Sequence, residues 1–188
     1  MSSRRIPLPT FDALDAEQRA VHDAIAAGPR GRVRGPTQIW LYSPELADRA
    51  QRLGETLRWG TVFEERLSKL AILVTARHVT AHYVWRNHSP TAEACGLSAA
   101  VVDAIRHRRT PEFERADEAA VYAFATQILE RHRVDDDTLG RVTDLFGARG
   151  AVELGALIGY YHMGAIALEL ARPPLVGGGV SDLPDLDG

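Results

Sequence analysis

Three of the chain's seven histidines, His78, His82 and His88, fall within eleven consecutive residues. They end a longer run, residues 64–88, which has no Gly or Pro and is predicted to form one helix. Ser89-Pro90 is predicted to end this helix directly after His88, where the helix dipole favours a protonated imidazole and raises its basicity. A histidine that faces the core at this position predicts a general base. The alternative is a histidine that only caps the last carbonyl groups.

His78 and His82 are four residues apart, a spacing that lets two histidines on one helix face share a metal ion. Residue 79 is Val, so the HExxH pattern of zinc hydrolases is absent. A third ligand would have to come from elsewhere, and the sequence does not place His162 there. We therefore predict no metal and no cofactor. The remaining histidines sit among charged residues and are predicted to lie on the surface: His22, His107 and His132.

Capping signals mark the helices that would hold these residues in place. Asp15 to Gln18 and Thr61 to Glu64 are both similar to capping boxes, and the second would open the helix over residues 64–88. Ser43-Pro44 predicts a helix start, and Ser98 predicts another. Near the C-terminus, two separate helices are predicted, Asp137 to Phe146, ended by Gly147, and Ala151 to Ala171.

No segment alternates between apolar and polar residues with a period of two, so strands are not predicted. We predict an all-α fold of seven or eight helices. The chain would form a single domain over residues 1–175, followed by a disordered tail over residues 176–188 that is rich in Gly and Asp.

Composition excludes several classes of partner. Apolar residues make up 45% of the chain, charged residues 25%, and the net charge is −3, so no broad basic field predicts nucleic-acid binding. The apolar stretches are interrupted or short, and no signal-type segment opens the chain, so a soluble cytoplasmic protein without membrane contact is predicted. Two arginine-rich pieces, Arg30 to Arg34 and Arg106 to Arg109, are interpreted as solvated loops. The first lies in a Gly/Pro/Arg loop, residues 28–36, that is either mobile or covers a site.

A set of residues in this chain resembles the carboxymuconolactone decarboxylase-like family, which has the alkylhydroperoxidase D-like fold. The resemblance covers about residues 5–175. It is carried by Leu67-x-x-Leu70-Ala71-Ile72-Leu73, Ala76-Arg77, Ala81-x-Tyr83-x-Trp85-x-x-His88, Gly96-Leu97-Ser98 and Glu153-Leu154-x-x-Leu157-Ile158-Gly159-Tyr160-Tyr161-x-Met163. It implies a helical bundle and a homo-oligomer, a trimer or a hexamer, with a pocket near His88.

The chain departs from the peroxidase-type members of that family. Those members carry a Glu, then CxxC, then His, and aligning the His with His88 puts the cysteines at Ala81 and Val84 and the Glu at Lys69. The only cysteine, Cys95, cannot replace the pair. Thiol-dependent peroxide reduction needs an attacking thiolate, usually with a resolving partner, so a thiol peroxidase is excluded. The acidic residues common in decarboxylase-type members are absent here as well.

Lys69 is the only lysine among 22 basic residues, and the resemblance places it in the pocket region near His88. A cation there can bind a substrate carboxylate or stabilise an enolate-like oxyanion. A desolvated lysine can instead form a Schiff base with a carbonyl substrate. The remaining alternative is a solvated lysine in the first turns of a helix. Arg77 lies on the His88 side and, if buried, needs a carboxylate partner from the protein or a ligand.

Three further residues are candidates for contact with a substrate. Trp85 flanks the His88 face and either walls an aromatic or unsaturated substrate or packs in the core. Tyr83 matches the family pattern, but its predicted face is opposite to that of His88, which favours packing. His162 lies in an apolar helix and faces either the pocket or a subunit interface.

The predicted function is that of a cofactor-independent lyase or decarboxylase that acts on a small carboxylate- or carbonyl-bearing compound, aromatic or a lactone. His88, Lys69 and His82 are the predicted catalytic residues, and Arg77, Trp85, Tyr83 and His162 are the predicted substrate-binding residues. The alternative is a non-catalytic small-molecule binder or an oligomeric scaffold that has kept the fold.

Overall fold

The structure is a computed structural model that describes residues 5–185. This part of the chain contains eight α-helices and no strand, so the prediction of an all-α fold of seven or eight helices is confirmed. A 3-10 turn, Phe11–Ala13, precedes the first helix. The helices are α1 (Ala16–Ala27), α2 (Pro36–Trp40), α3 (Pro44–Trp59), α4 (Glu65–His78), α5 (His82–Ala94), α6 (Ala99–Arg106), α7 (Ala116–Arg131) and α8 (Asp136–Ala171).

Helix α4 is the centre of the bundle. Every residue from Arg66 to Arg77 is buried, and α5, α6, α7 and α8 all pack against it. A helix that is covered on all sides must be apolar around most of its circumference. Leu67, Leu70 and Leu73 supply this surface and belong to one continuous core cluster.

The prediction of one helix over residues 64–88 is wrong. Helix α4 ends at His78 and α5 begins at His82, and between them Thr80 adopts a left-handed conformation with φ of 49°. A non-glycine residue pays a steric penalty in this conformation, so tertiary packing of α5 must hold the turn in place. His78 and His82 consequently lie on different helices, and their spacing of four residues does not put them on one helix face.

The predicted end of the helix at Ser89-Pro90 is also wrong, because α5 continues through Pro90 to Ala94. Proline lacks the N–H that an interior helical residue donates, which is why the sequence favoured a break. Pro90 is exposed, and Ser89 and Ala92 on either side are buried, so packing of the inner face maintains the helix. His88 therefore lies inside α5 and gains no basicity from a helix C-terminus.

Two of the predicted side-chain caps form in the structure. The Asp15 side chain accepts a hydrogen bond from the Gln18 N–H at 2.8 Å, and the Gln18 side chain accepts one from the Asp15 N–H at 3.0 Å. Ser98 likewise caps α6 by accepting from the Ala100 N–H. The predicted capping box from Thr61 to Glu64 does not form: Glu64 precedes α4, and its side chain makes no capping hydrogen bond.

The two C-terminal helices predicted separately are joined in α8, with a kink at Gly147, where φ is 69° and ψ is 176°. Glycine supplies this conformation without steric cost, which is why the joint falls there. Among residues 5–185, α8 is the one helix long and apolar enough to cross a membrane by length and composition. Leu154, Leu157 and Ile158 are buried within the bundle, and because the core helix of a soluble protein passes the same test, this is weak evidence of membrane insertion.

The segment after α8 returns to the bundle before residue 185. Leu183 is 3% exposed and belongs to the core cluster, and Asp182 pairs with Arg106 of α6 at 2.8 Å. The predicted disorder of residues 176–188 stays a prediction. Residues 186–188 lie outside the described part of the chain.

Candidate active site

The middle of α5 places His88 at a cavity of about 180 Å³, hereafter the arginine cavity. Its walls come from the loop after α1, the C-terminal end of α3, α5 and α8. The polar and aromatic side chains that line it are Arg30, Arg32, Arg34, Thr37, Arg58, Trp59, Tyr83, Asn87, His88, Tyr160 and Tyr161.

Four of these residues, Arg30, Arg32, Arg34 and Arg58, are called the cavity arginines below. No lining residue of the cavity carries a carboxylate. Within residues 5–185, no carboxylate oxygen of an Asp or Glu lies within 4.0 Å of a guanidinium nitrogen of any cavity arginine. The cavity thus concentrates positive charge without a protein counterion, an arrangement that favours an anionic ligand.

Neutral side chains fix two of the cavity arginines. Arg30 donates a hydrogen bond to the Tyr160 hydroxyl at 3.1 Å, and Arg34 donates one to the Asn87 Oδ1 at 2.8 Å. A Cβ added at Gly54 would lie 2.1 Å from the Tyr160 hydroxyl, so only glycine leaves room for this contact. Each guanidinium retains further N–H groups, because Arg carries five donors.

Trp59 brings Arg30 and Arg58 together on one side of the cavity. The guanidinium carbon of Arg58 lies 4.6 Å from the Trp59 ring centroid, and that of Arg30 lies 6.0 Å from it. These are cation–π distances, and they hold two charges near one another without a carboxylate between them.

His88 is 5% exposed, and its Nδ1 atom is buried without a hydrogen-bond partner in the described part of the chain. Burial lowers the pKa of His88 well below its usual range, and the positive charges of Lys69, Arg58 and Arg34 lower it further. The predicted increase in basicity is therefore wrong. The imidazole is neutral at neutral pH, the form that can accept a proton.

Tyr161 of α8 packs edge-to-face against His88, with ring centroids 5.2 Å apart. Burial raises the pKa of Tyr161 to about 12. The phenol therefore keeps its proton across the physiological range and can donate a hydrogen bond to an anion in the cavity.

Lys69 is buried in α4, so the alternative of a solvated lysine does not hold. Its Nζ donates to the Thr91 Oγ1 at 2.9 Å and lies 3.4 Å from the Glu65 Oε1. It is not among the residues that line the arginine cavity. Its positive charge adds to burial, the larger cause, in lowering the pKa of His88.

His82 and His162 line a different cavity of about 810 Å³, formed largely by α8 and the segment after it. The His82 Nε2 lies 2.9 Å from the Asp185 Oδ1. His82 and His88 both lie on α5, but six residues of helix turn them about 120° apart, so the two side chains face different cavities. Tyr83 lines both cavities, and its ring packs against Gly35. The predicted packing of Tyr83 on the helix face opposite to His88 therefore describes only part of its environment.

Arg77 and Trp85 lie outside the arginine cavity. Arg77 is buried and donates to the Pro184 carbonyl oxygen at 2.7 Å, so it holds the C-terminal segment. Trp85 is fully buried in the core, and the Arg106 guanidinium lies 5.9 Å from its ring centroid. Of the seven predicted site residues, the structure places His88 and Tyr83 at this cavity.

Sequence reasoning missed the cavity arginines, Trp59 and Tyr161. The prediction for Arg30 to Arg34 is a solvated loop, whereas all three of its arginines line the cavity, in agreement with the alternative that residues 28–36 cover a site. No sequence signal brings the arginines together: the loop turns at Gly31, where φ is 66°, and the position of Arg58 depends on how α3 packs.

Within residues 5–185, no group of three or more His, Cys, Asp or Glu side chains is arranged to hold a metal ion. The side chains at the arginine cavity are cationic, aromatic or neutral, which suits an anionic organic ligand.

No protein-family model and no curated protein matches the chain. Among solved structures, the chain is similar to the debrominase Bmp8, crystallised as a cysteine-to-alanine variant in complex with 2,3,4-tribromopyrrole. The TM-score is 0.63 at 18% sequence identity, and the match covers 98% of this chain and 93% of the other. At this identity the likeness shows a shared all-α fold and does not carry over an activity or a substrate.

Proposed function

We infer that this protein is a cofactor-independent lyase of the decarboxylase type, a divergent member of the carboxymuconolactone decarboxylase-like family without its thiols. Its substrate is a small carboxylate- or carbonyl-bearing compound with an unsaturated or aromatic body. One observation carries this: a buried histidine whose Nδ1 has no partner among residues 5–185 lines a cavity with four arginines and, in the same residues, no carboxylate. The fold shared with Bmp8, an enzyme, supports a catalytic role.

The chemistry follows from the charges at the cavity. Decarboxylation replaces a substrate carboxylate by a proton: the electron pair of the breaking carbon–carbon bond moves into a conjugated carbonyl, and CO2 leaves. The cavity arginines stabilise the enolate oxygen that develops. Tyr161 donates a hydrogen bond to the same oxygen. The proton that replaces the carboxylate comes from solvent: neutral His88 takes it up and passes it to the carbon that has lost CO2, so the imidazole ends as it began. Lys69 acts on His88 through its charge, since it does not line the cavity.

Turnover of small aromatic carboxylates and lactones by the purified chain tests this function. His88→Ala should lower turnover by roughly 10²–10⁴-fold, the usual contribution of a general acid or base. The matched control is His82→Ala, which removes a histidine from the same helix but from the other cavity, and should leave turnover within about twofold. Undiminished turnover in His88→Ala would contradict the proposal.

A non-catalytic binding protein is the second candidate, and a specific observation favours it. Lys69 contacts Thr91 and Glu65 and does not line the arginine cavity. The cavity therefore lacks Lys69, one of the three predicted catalytic side chains. Such a protein would bind the same carboxylates without converting them. Calorimetric binding combined with product analysis of the same mixtures separates the two candidates.

We further infer a soluble cytoplasmic homo-oligomer, a trimer or a hexamer, without nucleic-acid or membrane partners. Self-association is supported by an exposed apolar stripe along α8, where Val152 is 73% exposed and Ile166 is 57% exposed. Tyr42 and Leu46 extend it across the neighbouring helices. Molar mass by light scattering tests this, and a monomer at micromolar concentration would refute it.

A further inference from the structure

The arginine cavity holds more positive charge than a single carboxylate can use. Elsewhere in residues 5–185, arginines such as Arg49, Arg52 and Arg66 form ion pairs with nearby carboxylates. The four cavity arginines surround about 180 Å³ and have no such partner. Maintaining like charges this close costs free energy, so a ligand that compensates all of them is expected.

The donors that remain point to a ligand group with several oxygen atoms. Arg30 uses one nitrogen on Tyr160, and its buried Nε has no partner within the described residues. Arg34 uses one nitrogen on Asn87. Burial lowers the pKa of Arg34, and the charge of Arg32 lowers it further, as expected for cations held side by side. The guanidinium groups nevertheless remain charged.

Carboxylate and phosphate differ in what they offer to such donors. A carboxylate has two oxygens and one negative charge, which a single bidentate arginine can satisfy. A phosphate monoester has three terminal oxygens and a charge of about −1.5 to −2 at pH 7. Three or four arginine side chains can therefore pair with one phosphate group. A cavity of this size admits one such group and a small organic body, which excludes a nucleic-acid strand.

We propose that the cavity arginines bind the phosphate group of a small phosphate monoester whose planar body lies against Trp59 and the cavity tyrosines. The phosphate serves as the binding group and occupies the arginines, so with this ligand Tyr161 is the group that meets the enolate oxygen. The planar body carries the carbon atom that His88 protonates. That this ligand is the substrate rests on the proposed function. Its binding to the arginines does not, and it is tested separately.

The test measures calorimetric binding of three probes, phenyl phosphate, phenyl sulfate and benzoate, to the full chain at pH 7.5. Phenyl phosphate should bind at least about tenfold more tightly than benzoate, since it offers more oxygens and more charge. Its affinity should fall as pH drops below about 6, where the phosphate takes up its second proton. Phenyl sulfate has no such proton, so pH-independent binding of sulfate at equal strength would identify a sulfate ester and overturn the phosphate assignment.

Arginine variants locate the binding. Arg58→Gln and Arg34→Gln should each weaken phenyl phosphate binding by roughly tenfold or more. Arg52→Gln is the matched control, because Arg52 lies on the same helix as Arg58 but is exposed and pairs with Asp48. Binding that is equally weak in Arg58→Gln and Arg52→Gln, or benzoate binding as tight as phenyl phosphate, overturns the proposal. Circular dichroism confirms that each variant is folded.

His88→Ala separates this proposal from the proposed function. The variant should bind phenyl phosphate within about threefold of the unaltered chain, because the arginines remain. Phosphate binding together with undiminished turnover in His88→Ala would refute the function and leave the phosphate site. Turnover of carboxylates that depends on His88, without phosphate binding, would refute the phosphate site and leave the function.

Discussion

Two groups of arginines in this protein have opposite surroundings. Arg66, in the central helix, is buried and donates to Glu118 and to Asp117, the latter at 2.7 Å, so protein carboxylates neutralise it and tie α4 to α7. The cavity arginines have no carboxylate partner in residues 5–185. Three of them, Arg30, Arg34 and Arg58, contact a tyrosine, an asparagine and a tryptophan respectively. The fold itself neutralises Arg66. The cavity arginines have no such counterion within the described residues, and we propose an anionic ligand for them.

The difference shows how the same residue type serves structure or binding. A buried charge is tolerated when its partner is built into the neighbouring helix, and removing that partner destabilises the fold. A charge without a protein partner adds little to stability, and at the arginine cavity it opposes its neighbours. Stability measurements and binding measurements should therefore separate the two groups.

The largest effect is expected at the paired arginine. Glu118→Ala leaves the Arg66 charge buried with only part of its pairing, and the free energy of unfolding should fall by about 3–5 kcal/mol. Glu114→Ala, an exposed position four residues earlier, is the control and should change it by less than about 0.5 kcal/mol. Urea denaturation measures both. A loss below about 1 kcal/mol in Glu118→Ala would show that the pair does not hold α4 to α7.

A pH dependence of intermediate size is expected from His88, the neutral base beside the unpaired cations. Its pKa is lowered in the folded state, so between pH 6.5 and that lowered value the unfolded chain binds more protons. This contribution to stability is present above about pH 6.5 and is lost as pH falls, by up to about 1.4 kcal/mol per pH unit.

Urea denaturation at pH 7.5, 6.5 and 5.5 measures this loss. His88→Gln should flatten the dependence, whereas His107→Gln, at an exposed position, should not. The same slope in His88→Gln and in the unaltered chain would show that the cavity does not depress the histidine pKa.

The smallest effect is expected at the unpaired arginines. Arg58→Gln removes a charge that has no carboxylate partner, so the free energy of unfolding should stay within about 0.5 kcal/mol of the unaltered value. Thermal denaturation with and without phenyl phosphate checks this: the variant should unfold at nearly the same temperature alone and should lose most of the ligand-induced stabilisation. A large loss of stability without ligand would mean that Arg58 is structural, like Arg66.

Among the elements, short-range signals predicted two of the three capping sites. The capping box at Asp15 and the cap at Ser98 depend on groups two or three residues apart, and both form. The boundaries near the site failed for the opposite reason. The turn at Thr80 and the passage of α5 through Pro90 run against local preference, and packing against α4 maintains both.

The sequence by itself determined the all-α class, the central position of α4 and the presence of His88 as a candidate residue next to it. The tertiary structure alone decided which groups surround that histidine. Arg34 meets Asn87 from 53 residues away, and Arg30 meets Tyr160 from 130 residues away. Helical periodicity and capping are local physics and can be read along the chain, whereas a cavity forms from distant segments, and its charge exists only when the fold brings them together.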